Sequence, residues 1–127
     1  MTARYVLTAT LLLALTACGP AEPEVRTTDV SNQGTACIQD GAFIVDFDRC
    51  LSSSCDTLVG ASCEANVDGD TVTVTSMGSI ESLTGPDVSC TNDCGFARVE
   101  CTLTGDLGGV TTIAYAGSET TDLDCAN

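Results

Sequence analysis

Eight cysteines crowd the stretch from Cys37 to Cys125, and their density constrains this 127-residue chain more than any other feature. Cys37, Cys50, Cys55, Cys63, Cys90, Cys94, Cys101 and Cys125 are an even set, as a disulfide framework requires. A domain this small buries a modest share of its surface on folding, and disulfides commonly supplement its core. Such bridges persist in oxidising surroundings, so the framework points to an exported protein. Eight cysteines allow on the order of 100 pairings, and their spacing does not choose among them.

The ninth cysteine, Cys18, stands apart at the end of a different kind of segment. Arg4 supplies a positive charge, and Tyr5 to Leu15 is an apolar run interrupted only by threonines. That is the layout of a secretory signal, whose apolar region runs about 7 to 15 residues. A spanning helix needs roughly 20, and Gly19-Pro20-Ala21-Glu22 ends this run well short of that. Residues 1–17 are therefore expected to be a signal peptide that targets the chain without spanning the membrane.

The last residues of the run, Leu15-Thr16-Ala17-Cys18, resemble the lipobox of bacterial lipoproteins: a branched apolar residue, two small residues, then cysteine. The resemblance implies a diacylglycerol group on the Cys18 thiol, cleavage on its N-terminal side, and attachment to a membrane through that lipid. Lipidation would also dispose of the odd thiol. The lysine-free composition, rich in Ala, Thr, Gly and Asp, is similar to that of small Cys-rich lipoproteins from high-GC bacteria, myxobacteria among them. Gly19 in place of Asp after the anchor implies, for a Gram-negative cell, sorting to the outer membrane. The expected location is thus the bacterial cell envelope.

Charge bounds the partners. From Cys18 onward, Arg26, Arg49 and Arg98 face eighteen Asp and Glu residues, a side-chain charge of −15. Nucleic acid is excluded, because its binding rests on Lys and Arg neutralising phosphates. Beyond the membrane, the partners that such a charge leaves open are cations or the basic surface of an exported protein. Histidine and lysine are both absent, which removes Ser-His-Asp and Cys-His systems, His-containing zinc sites, Schiff-base chemistry and P-loops. Tryptophan is absent too, and Phe43, Phe47, Phe96 and Tyr115 are a thin aromatic set for stacking on sugars or bases. No cofactor and no metal-ligand set is expected, and the chain does not read as an enzyme.

Residues 18–34 follow as the lipidated cysteine and a flexible tether, with two prolines, few large apolar residues and no period. Residues 35–127 are expected to form an all-β domain of antiparallel hairpins, sandwich-like or barrel-like, stabilised by disulfides. Phe43, Val45 and Phe47 alternate on one strand face. Asp68-Gly69 between alternating segments predicts a hairpin with a type I′ turn, opposing Ala65 to Val72 and Cys63 to Val74. A second hairpin is expected between segments 97–103 and 110–115, joined by the glycine-rich run Gly105 to Gly109. The spacings Cys50-x4-Cys55-x7-Cys63 and Cys90-x3-Cys94-x6-Cys101 suggest two copies of one cysteine-plus-hairpin unit.

Four further features invite functional readings. Asn66, Asp68 and Asp70 resemble the start of a calcium loop, which makes a calcium-binding envelope domain one alternative. That class requires glycine at the sixth position and an acid at the twelfth, where this chain has Thr71 and Met77. Cys90 with Cys94, or Cys50 with Cys55, could be redox or metal pairs, but structural disulfides are the expectation for all eight. Asp46 and Asp48 could serve acid-base chemistry only if they faced each other across a cleft, and residues two apart on a strand share a face. The loop from Gly105 to Gly109, preorganised by disulfides and a hairpin, suits an inhibitor-like or toxin-like module that presents a rigid loop to an exported protein. The primary reading is a non-enzymatic structural, binding or interaction module.

Overall fold

The alternation of Phe43, Val45 and Phe47 is realised as burial: all three are enclosed, while Ile44 and Asp46 between them are half exposed. They lie on β3 in a computed structural model that describes residues 19–126. The strands are β1 (Glu24–Asp29), β2 (Thr35–Gln39), β3 (Ala42–Leu51), β4 (Asp56–Asp68), β5 (Thr71–Thr84), β6 (Gly95–Glu100), β7 (Thr102–Thr104), β8 (Thr112–Tyr115) and β9 (Ser118–Thr120). A single 3-10 turn at Leu107–Gly109 is the only helical element among the described residues. The domain is all-β.

Strands β7, β4, β5, β8 and β9 form the larger sheet in that order, with β1 also paired to β5; β2, β3 and β6 form the smaller. The inner faces share one core. Phe43, Val45, Phe47, Ala36 and Ala97 from the smaller sheet meet Cys63, Ala65, Val72, Val74, Ile80 and Ile113 from the larger. Two sheets with a common core make a sandwich.

The β4–β5 hairpin forms with a two-residue shift from the expected register. Val67 opposes Val72 and Ala65 opposes Val74, so the loop is Gly69-Asp70 and not Asp68-Gly69. Positive φ occurs at Gly69 alone, the pattern of a type II′ turn. A shift of two preserves the faces: Cys63, Ala65, Val72 and Val74 are still enclosed. The type I′ turn stands at Asp40-Gly41, where both residues have positive φ and β2 folds onto β3. Two bulges bend the long strands. Gly60, at φ 60°, shares with Ala61 a position opposite Gly78, and Phe47 to Arg49 lie opposite Ala97.

The second expected hairpin does not form. β6 pairs with β3, while β7 runs parallel to β4 and β8 runs parallel to β5. The β7–β8 segment therefore straddles the first hairpin, one arm on each flank. The connection from Gly105 to Thr111 is long enough to span two intervening strands, and this arrangement pairs the outer edges of β4 at Glu64–Asn66 and of β5 at Thr71–Val74. It also carries Val110, Ile113 and Tyr115 into the core.

The tether is shorter than expected. Residues Glu24 to Asp29 form β1 on the end of β5, and Val30 is fully enclosed in the core. The backbone amides of Val30 and Asn32 donate to the Gly78 and Ser76 carbonyls, extending that pairing. Ordered domain thus begins at Glu24 and not at residue 35. The sequence hid this because β1 is exposed on every residue and shows no apolar alternation.

Four disulfides close the framework: Cys37–Cys125, Cys50–Cys94, Cys55–Cys90 and Cys63–Cys101. Two of them bind the end of β3 and the β3–β4 connection to the β5–β6 connection. Cys63–Cys101 fastens β4 at the corner where the chain leaves the smaller sheet for the larger. Cys37–Cys125 holds the C-terminal segment against β2, where the Ile38 amide donates to Leu123 and the Cys125 amide donates to Ile38.

Candidate functional site

One end of the sandwich gathers features that the sequence left separate. The Gly69-Asp70 turn ends the long hairpin, and the loop from Gly105 to Thr111 arches over it. The Asp70 carbonyl accepts hydrogen bonds from the amides of Thr111 (2.8 Å) and Thr112 (3.1 Å), fixing the arch to the turn. Asp106 caps the short 3-10 turn by accepting from the Gly108 amide at 2.8 Å, and Val110 anchors the far side of the loop in the core. Gly105 has φ 107°, and a Cβ there would stand 2.7 Å from that of Val67. Only glycine fits so close to the strand beneath it.

Asp68, Asp70 and Asp106 make this tip acidic, and Leu107 offers a half-exposed apolar side chain beside them. Asn66 and Asp68 lie on the outer face of β4 and Asp70 lies in the turn. Asp70 is engaged locally, accepting from the Thr71 hydroxyl at 3.3 Å. Among the described residues no three His, Cys, Asp or Glu side chains are grouped so as to hold a metal ion.

The opposite region contains a hydroxyl cluster. Ser52, Ser53 and Ser54 on one connection meet Thr91 and Asp93 on the other, beside the Cys50–Cys94 and Cys55–Cys90 bridges. The Thr91 hydroxyl and the Ser53 amide donate to Asp93, holding its carboxyl down at about 2 although it is solvent-exposed. No histidine or lysine accompanies these hydroxyls to serve as a base. The cluster joins two loops.

Asp46 accepts from the Arg98 guanidinium at 2.7 Å and, through its other oxygen, from the Asp48 amide. Asp48 sits in the β3 bulge at φ 51° and accepts from the Thr35 hydroxyl. The two carboxylates are therefore held along one bulged strand. Arg98 also stacks on the exposed Phe96 ring, 4.3 Å from its centroid.

A buried polar chain was missed at the sequence level. Tyr115 donates to the Gln33 carbonyl at 2.7 Å, so its oxygen must accept from the Ser76 hydroxyl, also at 2.7 Å. The Ser76 hydroxyl in turn accepts from the Asn32 amide, whose side-chain carbonyl accepts from the Ser76 amide. Burial raises the Tyr115 phenol above its ordinary range, against the bond from Ser76. Beside it, a shallow groove of about 930 Å³ runs over Thr73, Thr75 and Ala114 to Glu119. Its floor is the exposed face of the sheet.

Each cysteine of the expected framework is paired, but neither Cys50 with Cys55 nor Cys90 with Cys94; each bonds across to the other connection. The lipidation candidate Cys18 lies outside the described residues, as do residues 1–17. Compared with protein-family models, curated proteins and solved structures, the chain has no match.

Proposed function

We propose that the protein is an exported bacterial lipoprotein, held on a membrane of the cell envelope by a lipid on Cys18, and that its folded domain is a non-enzymatic binding module. The observation that carries this reading is the cysteine pairing. The eight cysteines from Cys37 to Cys125 satisfy one another, so Cys18, at the end of Leu15-Thr16-Ala17, has no disulfide partner left within the chain. Four bridges also suit an oxidising, exported compartment. With Gly19 following the anchor, the reading for a Gram-negative cell is the outer membrane. The absence of histidine and lysine favours binding over catalysis.

The surface offered to an exported protein partner is the tip formed by Gly69-Asp70 and the Gly105–Gly109 loop. Its fixed backbone lowers the ordering cost of association, which also supports a narrower second reading as an inhibitor-like module. The test is Cys18→Ser. Loss of metabolic lipid labelling together with accumulation of uncut precursor is expected; normal processing and membrane retention of the variant would defeat the reading. Capture of a defined partner by the wild-type domain, lost on shortening residues 105–109, tests the tip.

A further inference from the structure

The strand β1 changes how far the domain can stand from a membrane. Between Cys18 and Glu24 lie only Gly19 to Pro23, so even a fully extended connection reaches about 20 Å. Pro23 is already against the domain, packed with Val88 around Gly85, at 3.7 and 3.4 Å from where a Cβ would stand there. The chain thus enters at one end of the molecule, where β1 begins and β5 stops. The Gly69-Asp70 turn lies at the other end of β5, a 14-residue strand about 45 Å long.

The entry end carries an apolar pair. Val25 and Leu83 are direct cross-strand partners, 59% and 38% exposed. Val88, half-exposed, packs against Gly85, two residues beyond Leu83. Asp56 and Glu81 line the same surface as the pair, with Ser53, Ser54 and Thr57 beside them, and Glu22, Glu24 and Asp87 are exposed nearby in the chain, with Arg26 the basic residue of β1. Such a rim is repelled by anionic headgroups and tolerated by zwitterionic ones.

We infer that this end, formed by Pro23, Val25, Leu83 and Val88, is a membrane-contact surface that seats on a zwitterionic bilayer, with the β4–β5 hairpin directed away from it. The inference rests on the lipoprotein reading above. Two apolar side chains do not hold a soluble domain on a bilayer. Once a lipid fixes the chain a few residues away, however, contact becomes intramolecular and a weak apolar interaction suffices. The acidic tip is thereby held at the far end, where a partner meets it free of the surface.

The chain lacks tryptophan, which makes single tryptophans clean reporters. The full-length chain, expressed and processed in a bacterial host, is reconstituted as Val25→Trp and as Asp68→Trp in phosphatidylcholine vesicles with brominated acyl chains. Emission from position 25 is expected to be strongly quenched and that from position 68 to be unchanged. Both positions are exposed, and unchanged circular dichroism verifies the fold. Lipid on Cys18, shown by mass spectrometry, with no quenching at position 25 overturns the orientation alone. Unlipidated Cys18 overturns the lipoprotein reading and the orientation with it. Quenching that grows when phosphatidylglycerol is added overturns the choice of a zwitterionic surface.

Discussion

Gly34 stands at φ 90° against the bulged part of β3, and a Cβ there would fall 2.0 Å from the Asp46 carbonyl oxygen. Because the obstacle is backbone, no rotamer change relieves it. Gly34→Ala should cost about 3 kcal/mol or more, read as a lower midpoint in urea unfolding. Tyr115→Phe leaves the Gln33 carbonyl and the Ser76 hydroxyl without their shared partner, a loss of about 1 to 3 kcal/mol by the same measurement. Its pH dependence has a definite sign. The folded phenol is raised, so its contribution is complete below the ordinary tyrosine range and is lost as pH climbs through the folded value. Wild type should lose stability there faster than Tyr115→Phe. Asp93, held at about 2 first by the Thr91 hydroxyl and then by Ser53, follows the opposite sign: its contribution is present above the usual carboxylate range and disappears as pH falls towards 2. In Thr91→Val, an NMR titration of Asp93 should move back up. The Tyr115 contacts were not legible in the sequence, since Tyr115 is 39 residues from Ser76 and 82 from Gln33.

At the scale of elements, exposure ranks the disulfides. Cys50 and Cys94 are exposed, whereas Cys63 and Cys101 are buried in the core. Graded reduction followed by alkylation and mass mapping should open Cys50–Cys94 first and Cys63–Cys101 last, since a reductant's thiolate must reach the sulfur it attacks. Opening of the buried bridge first would contradict the placement of Cys63 on the inner face. The strand faces were readable because period-two burial is local: Phe43, Val45 and Phe47 on β3, and Cys63, Ala65, Val72 and Val74 on the hairpin. Register was not, because pairings two residues apart present identical faces, and Gly69 serves either turn type. Partner choice for the 97–103 and 110–115 segments was hidden for another reason. A glycine-rich connection can close a hairpin or step over one, and only the filling of both edges of β4–β5 decides. Conversely, Asp40-Gly41 carries a turn signal in the sequence as plain as Asp68-Gly69, and there the type I′ turn forms.

For the whole molecule, the large negative charge, −14 over the full chain and −15 in side chains from Cys18 onward, sets the response to ions. Millimolar Ca²⁺ should raise the melting temperature no more than monovalent salt of equal ionic strength, because both screen repulsion among like charges. A specific site at a hundredfold excess over Kd would instead add about 2.7 kcal/mol, a rise of about 10 to 20 °C, abolished in Asp68→Asn/Asp70→Asn. Differential scanning calorimetry separates the two outcomes. The connectivity of the bridges bears also on how the protein is made. Of the eight bridged cysteines, each of the first four, 37, 50, 55 and 63, bonds to one of the last four, 90, 94, 101 and 125. On the proposed export, a chain threaded through a membrane from its N-terminus exposes these first four thiols before any correct mate emerges, and a bridge between two of them made in that interval is wrong. Every such bridge must be exchanged through a mixed disulfide before all four native bridges can form. The yield of this domain in a host should accordingly depend on its disulfide isomerase and not only on its oxidase.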